Sequence, residues 1–564
     1  MQKFIHIKFT PKIYLMIKSL FTKALLIFSI TAVAQQNSLP QNWHLLSKQK
    51  DGYYGINLDT AYKLLSKNKK ISKPVIVAIL DSGIDTAHED LKNVLWTNNQ
   101  EIPNNKIDDD GNGYIDDIYG WNYLGNKNGE QIKNASSEKV RMYHEFKQKF
   151  EGAIDTNQLN IIDKHIYQNW LATKKELNPS TEELMNLMII ENIYKRLKAQ
   201  GKLLTDEMKV TDFTIDSLEK YKPQTAETKD AKLRVISVYK LFQLDNSESF
   251  TTLMTQLESE IESKNKNNEG SKKAPENTRL KIVQDDYYNI NDKFYGNNNV
   301  KGPGPMHGTH VAGIVASQRD NTIGSEGVAN NVKLMALRVV PDGDEYDKDV
   351  ALAIFYAVDN GAKVINMSFG KPFSPQKYWV DSAIQYAAKK DVLLIHSAGN
   401  DAKNIDEENS YPTSFYLNKT KAPNYITVGA STDPSISKET VIADFSNYGA
   451  TSVDVFAPGV KIYSTLPHFN NYGRQQGTSM SGPVVTGLAA LLRGNFPWLT
   501  AVETKKIIEE TVYKPSEDLI NIPSDKNEKC KFTRLCKTGG IVDAGAAVAK
   551  AIELEKQMLK KKNK

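Results

Sequence analysis

Six apolar residues in a row, Val75-Ile76-Val77-Ala78-Ile79-Leu80, carry no polar alternation. A strand with one wet face alternates, so this run reads as a strand covered on both faces. Similar runs recur at 332–340, 364–367, 392–395 and 425–428, with helical patterns between them at 350–360 and 381–390. This alternation predicts an α/β fold, a mostly parallel sheet covered by helices on both faces. Such sheets bind ligands at the carboxyl ends of their strands, so the residues just past each run carry the most interest.

Residues 125–295 break the rhythm. They are rich in Lys, Glu, Asn and Gln with helical periodicity, and predict a mainly helical insertion. Within it, Ser180 and Glu183 have capping-box spacing, Leu184, Leu187, Met188 and Leu197 fall on one side, and Gly201 is the expected stop. The polar stretch 264–277 is expected to lack fixed structure. A short segment (35–72) precedes the first strand, the α/β body takes 73–124 and 296–550, and residues 551–564 form a basic tail.

Charge narrows the function. The chain has 72 Lys and Arg against 67 Asp and Glu, but residues 1–34 hold Lys3, Lys8, Lys12, Lys18 and Lys23 and no acid. The remainder is balanced and gives no reason to expect a nucleic-acid partner. In residues 1–34 the lysines precede an apolar run (24–34) that closes on Ala32-Val33-Ala34, the pattern of an export signal. The run is about half of the ~20 residues a membrane span needs. The expectation is an exported protein, secreted, periplasmic or at the cell surface, with no span in the mature chain; a retained anchor is the alternative. Cys530 and Cys536 are the two cysteines, and export leaves both a disulfide and two free thiols open.

Four short strings carry chemistry. Asp81-Ser82-Gly83-Ile84-Asp85 ends the first strand with a carboxylate able to orient an imidazole, or only to cap a turn. His307-Gly308-Thr309-His310-Val311-Ala312-Gly313 opens an apolar helix. It lacks the glutamate and the spacing of a zinc-binding His-Glu-x-x-His, which favours one histidine as general base and the other packed. Ala398-Gly399-Asn400 follows a buried strand and offers a side-chain amide to an oxyanion, or simply turns the chain. Gly477-Thr478-Ser479-Met480-Ser481-Gly482-Pro483 sets a serine hydroxyl at a helix mouth, beside unpaired N–H groups, with Pro483 expected in the first turn.

In the chain order Asp81, His307, Asn400, Ser479, these strings resemble those of the subtilisin-like serine proteases (subtilases, peptidase family S8). Asn366-Met367-Ser368-Phe369-Gly370, Ala443-Asp444-Phe445-Ser446-Asn447-Tyr448-Gly449 and Ala457-Pro458-Gly459 agree further. The resemblance implies a three-layer catalytic domain over 73–124 and 296–550, polypeptide substrates and no organic cofactor. It implies Ser479 as nucleophile, His307 as base and then acid, Asp81 orienting the ring, and Asn400 with the Ser479 N–H as oxyanion hole. Ser368, Phe369 and Gly370 would pair with an extended substrate, the Phe369 ring either walling a pocket or filling the core. An esterase would carry Gly-x-Ser-x-Gly, and Ser481 stands where the last glycine belongs. A non-catalytic member of the fold and a calcium-binding surface protein are the other rivals. Two features depart from the family: 35–72 is short for a folded propeptide, and Asp81 and His307 lie 226 positions apart.

Calcium is the expected structural ion. Asp108, Asp110, Asn112, the Tyr114 carbonyl and Asp116 occupy positions 1, 3, 5, 7 and 9 of a calcium loop. Position 12 is Tyr119 rather than Glu, so Asp116 or Asp117 must complete any shell; a plain acidic turn is the alternative. The resemblance implies a second site at Asp90 and the Asn321-Thr322-Ile323 loop.

Overall fold

A computed structural model describes residues 39–242, 250–437, 440–468, 471–516 and 519–562. The export signal expected over 1–34 lies outside them. Seven strands form one sheet: β1 (Val75–Asp81), β2 (Gly120–Asn122), β3 (Val332–Arg338), β4 (Val364–Met367), β5 (Leu393–Ser397), β6 (Tyr425–Ser431) and β7 (Val455–Pro458). Their spatial order is β2-β3-β1-β4-β5-β6-β7, and every neighbouring pair is parallel.

The unalternating strands are covered on both faces, as their composition requires. Val77 and Ile79 of β1 join an apolar cluster with Val311 and Val315 of helix Met306–Ala316 and Val484 and Leu488 of helix Thr478–Asn495. Ala78 and Leu80 point the other way, into a cluster with Ile354 of helix Asp347–Asp359 and Ile384 of helix Lys377–Lys389. Each fully buried Val, Leu or Ile contributes about 1.5–3 kcal/mol, so the two faces together dominate the stability of the body. This is the expected three-layer α/β architecture.

The first and last of the described segments are both knitted into this core. Trp43, Ile56 and Leu58 belong to the first cluster, and the Trp43 indole donates to the Val460 carbonyl at 3.1 Å. The basic tail expected from 551 is instead the second half of helix Ala544–Lys562, whose Ala547, Val548, Ala551 and Ile552 are buried. Its apolar residues recur at helical spacing before the lysines begin, and that periodicity outweighs the charge. Cys530 and Cys536 are both buried and unbonded. Among the described residues no helix is long and apolar enough to cross a membrane.

The chain divides into two packed units, Leu171–Pro275 in one, Ser38–Trp170 and Glu276–Lys564 in the other. The 125–295 insertion is helical but does not hold together as a single body. Residues 125–170 and 276–295 belong with the sheet, tied by buried ion pairs such as Arg279 with Asp349 at 2.7 Å.

In the smaller unit the capping box is present. Ser180 Oγ accepts the Glu183 N–H at 3.2 Å, and the Glu183 carboxylate accepts the Ser180 N–H at 2.7 Å. Helix Thr181–Met208 nevertheless runs through Gly201. A Cβ there would lie 2.1 Å from the Phe250 ring, so this glycine serves close packing and not termination. Met188 is 62% exposed and off the buried stripe that holds Leu187 and Leu197. Helix Phe250–Lys272 extends into the stretch expected to lack structure, where the Asn265 amide donates to the Glu191 carboxylate of the neighbouring helix at 2.8 Å.

Candidate active site

Asp81 is the last residue of β1, the strand at which the order reverses between β3 and β4. Ser368 follows β4 and Asn400 lies just past β5. His307 and Ser479 are each the second residue of a helix, Met306–Ala316 and Thr478–Asn495. Residues from three strand ends and two helix mouths thus meet at the switch point of the sheet.

Asp81 and His307 are already paired, with Nδ1 2.7 Å from a carboxylate oxygen. A carboxylate only accepts, so Nδ1 carries the proton and Nε2 presents its lone pair, the tautomer a general base needs. Asp81 is 1% exposed and also accepts the Ser82 N–H at 2.7 Å. Gly308 lets the two elements approach: a Cβ there would meet the Gly83 carbonyl at 2.3 Å and Asp81 at 3.1 Å. Burial pulls the His307 pKa down, but the charge and hydrogen bond of Asp81 outweigh it, and the net shift is upward. His310 is the packed partner. It is fully buried, its Nε2 lies 3.1 Å from the carbonyls of Ile462 and Gly473, and burial lowers its pKa to about 4.

Ser479 is tied to the segment after β4 by a reciprocal pair. Its Oγ donates to the Ser368 carbonyl at 3.1 Å, and the Ser368 Oγ donates to the Ser479 carbonyl at 3.0 Å. Pro483 explains the second bond. It is the sixth residue of the helix and not in the first turn as expected. Lacking an N–H, it frees the carbonyl four residues back, that of Ser479, which the Ser368 hydroxyl takes up. Gly477, at φ +145°, makes the bend that presents the serine. The Ser479 hydroxyl is therefore turned to Ser368 and not to His307. Resting sites often show such loose catalytic contacts.

Asn400 is exposed, and both hydrogen bonds to its Oδ1 come from Thr478: the N–H at 2.8 Å and the hydroxyl at 3.0 Å. That double acceptance fixes the amide so that Nδ2 is the free donor, beside the start of the Ser479 helix. The role of Thr478 carried no sequence signal, because its side chain acts on a residue 78 positions away.

Ser368, Phe369 and Gly370 lie in line after β4. The Phe369 ring is packed in the cluster under the helices Asp347–Asp359 and Lys377–Lys389. Its carbonyl takes the Nε2 of His396 at 2.8 Å, and burial lowers the His396 pKa to about 4. Next, Lys371 and Tyr411 exchange backbone hydrogen bonds at 3.0 and 2.8 Å. A cavity of about 850 Å³ opens behind this bridge, lined in part by Ile161, His165, Lys377, His396, Tyr411 and Thr413.

The acidic loop folds differently from the expected calcium shell. Asp116, at φ 54°, turns its carboxylate to the N–H groups of Asn105 and Lys106 at 3.2 and 3.0 Å, out of the ligand set. Asp108 accepts the N–H groups of Asn112 and Gly113, as a loop-closing residue does. Oxygens of Glu101, Asp110 and Asp117 lie within 4.8 Å of one another. Glu101 comes from outside the loop, where spacing gives no signal. Burial raises the pKa of both Glu101 and Asp117, and no Lys or Arg among the described residues is a main influence on either carboxyl. Three convergent carboxylates without a counter-cation suit a hard divalent ion. Asn98 and Asn112 border the cluster through hydrogen bonds to Asp110 and Asp117. At the second expected site, the Asn321 amide nitrogen bonds Asp90 at 2.5 Å and the Ser325 N–H takes the other oxygen at 3.2 Å. Asp90 and the 321–325 loop are thus brought side by side.

The model of the subtilase family matches residues 72–535. The chain belongs to that family. Similar relatives include a thermophilic serine proteinase of Bacillus sp. (strain AK1), 39% identical over 37% of this chain and 47% of its own length. Subtilisin DY of Bacillus licheniformis is 34% identical over 42% of this chain and 79% of its own. Thermitase of Thermoactinomyces vulgaris is 36% identical over 40% of this chain and 73% of its own. The chain spans about half the length of the first of these.

Proposed function

We propose that the protein is an exported serine endopeptidase. Ser479 attacks the scissile carbonyl of a polypeptide while His307 Nε2 takes its proton, and Asp81 holds the imidazole and stabilises its charged form. The oxyanion that forms is held by Asn400 Nδ2 and the Ser479 N–H, aided by the positive end of helix Thr478–Asn495. Collapse breaks the C–N bond, the leaving amine takes the proton from His307, and water activated by the same imidazole releases the acyl group. Ser368, Phe369 and Gly370 hold the substrate as an extended strand through their backbone.

The observation that carries this reading is the 2.7 Å pair of His307 with Asp81 at the end of β1, while the helix-mouth Ser479 is bonded to Ser368 at the end of the neighbouring strand β4. Ca²⁺, where bound, would be held by Glu101, Asp110 and Asp117 and would brace the loop after β1; no step of the reaction runs through it. Export rests on the pattern of residues 1–34, and a relative from Bacillus subtilis is a cell wall-associated protease. Incubation with an unstructured polypeptide tests the activity. The wild type is expected to cleave it and Ser479→Ala to leave it intact, whereas cleavage by purified Ser479→Ala would overturn the assignment.

A further inference from the structure

The segment 368–374 leads from the nucleophile's hydrogen-bond partner straight into residues of the insertion. Lys371 follows Gly370, and its ammonium, 1% exposed, lies 2.7 Å from Glu138, 2.8 Å from Asp347 and 2.9 Å from the Glu345 carbonyl. Glu138 opens helix Glu138–Phe150 of the insertion and is held in turn by Arg141 at 2.7 Å. Phe373 is buried among Met142, Phe150, Ile166 and Trp170, all insertion residues. His165 Nε2 bonds the Ser374 carbonyl at 2.9 Å, and its ring packs edge-on against Tyr411, whose backbone is paired with Lys371.

We infer that residues 138–170 are a positioning element for the substrate-binding segment, acting through Lys371, Phe373 and Ser374 on one side and Tyr411 on the other. Three contacts of different chemistry, ionic, apolar and hydrogen-bonded, fall within four consecutive residues of that segment. A buried ion pair adds little net stability, but its geometry is specific, which suits it to fixing register. The expected consequence lies in binding an extended chain and not in the reacting groups, because none of the insertion residues named bonds Asp81, His307 or Ser479. The inference rests on the peptidase reading.

The test compares full-length wild type with His165→Ala and Glu138→Gln on two peptide anilides, one with a single residue before the scissile bond and one with four. A small fluorophosphonate reports the nucleophile separately. In variants that keep the wild-type circular dichroism, KM for the four-residue substrate is expected to rise about tenfold, a change of 1.4 kcal/mol. Turnover of the single-residue substrate and the fluorophosphonate rate stay within about twofold of wild type, since no bonded group of the triad is altered. His165 is only half-buried, so His165→Ala carries the test by itself if Glu138→Gln does not fold. Equal losses on both substrates, or no change on either, overturn the inference and leave the peptidase reading standing. A wild type that neither cleaves nor reacts with the fluorophosphonate overturns both.

Discussion

His307 Nδ1 and a carboxylate oxygen of Asp81 lie 2.7 Å apart, and this single contact sets both the tautomer and the proton affinity of the imidazole. Burial works against the charged ring and Asp81 for it, so the net pKa stands above the ordinary 6.5. A protonated ring has no lone pair for Ser479. The value of kcat/KM is therefore expected to rise with pH through a midpoint above 6.5. Asp81→Asn removes the causes that raise the pKa and leaves the one that lowers it. The midpoint then moves to lower pH, and kcat falls by about 10⁴, as loss of the orienting acid does in a serine-protease triad. A pH–rate profile of the two proteins checks both statements.

Asn400 has its oxygen committed to Thr478, which leaves Nδ2 as the donor that the proposed oxyanion hole requires. Asn400→Ala is expected to lower kcat by about 10²–10³ with KM little changed. That magnitude is the one known for an oxyanion-hole asparagine in a subtilisin, a relative of this chain. An effect confined to KM would show that the amide binds substrate in its ground state.

Glu345 is buried, and burial pushes its pKa up to about 8 against the opposing charge of Lys371. The folded chain thus keeps a proton that the unfolded chain, with a value near 4.5, releases. The contribution to stability is fully present below about pH 4.5 and is lost as pH rises through about 8. Thermal unfolding from pH 5 to 8 should show a falling Tm that Glu345→Gln flattens. Parallel curves for the two proteins would contradict this.

Calcium chelation is expected to lower Tm, and Asp117→Asn or Glu101→Gln to abolish that sensitivity. Asp116→Asn should keep it, because the Asp116 carboxylate caps the 105–106 turn outside the cluster. Differential scanning calorimetry with and without a chelator separates these outcomes.

Strand ends and helix mouths were legible because their signals are local. The unbroken run at 75–80 marks a strand buried on both faces, and Asp81, His307, Asn400 and Ser479 each sit within a short string at the end of such an element. What sequence left hidden depends on partners distant in the chain. Gly201 has the composition of a stop, and only the approach of Phe250 shows why the helix continues. Glu101 joins Asp110 and Asp117 across a fold of the loop, and Phe369 proves to be core because helices Asp347–Asp359 and Lys377–Lys389, on either side of it in sequence, pack over it. The buried Lys371 reads in sequence as a surface charge until Glu138, 233 positions earlier, is seen beside it.

The proposed reaction stands on Ser479 as nucleophile, activated by His307. Mass mapping after treatment of the folded protein with a fluorophosphonate tests it most directly. One adduct is expected, on the peptide carrying Ser479, absent in Ser479→Ala and strongly slowed in His307→Ala. An adduct on any other residue, or none on a folded wild type, would contradict it.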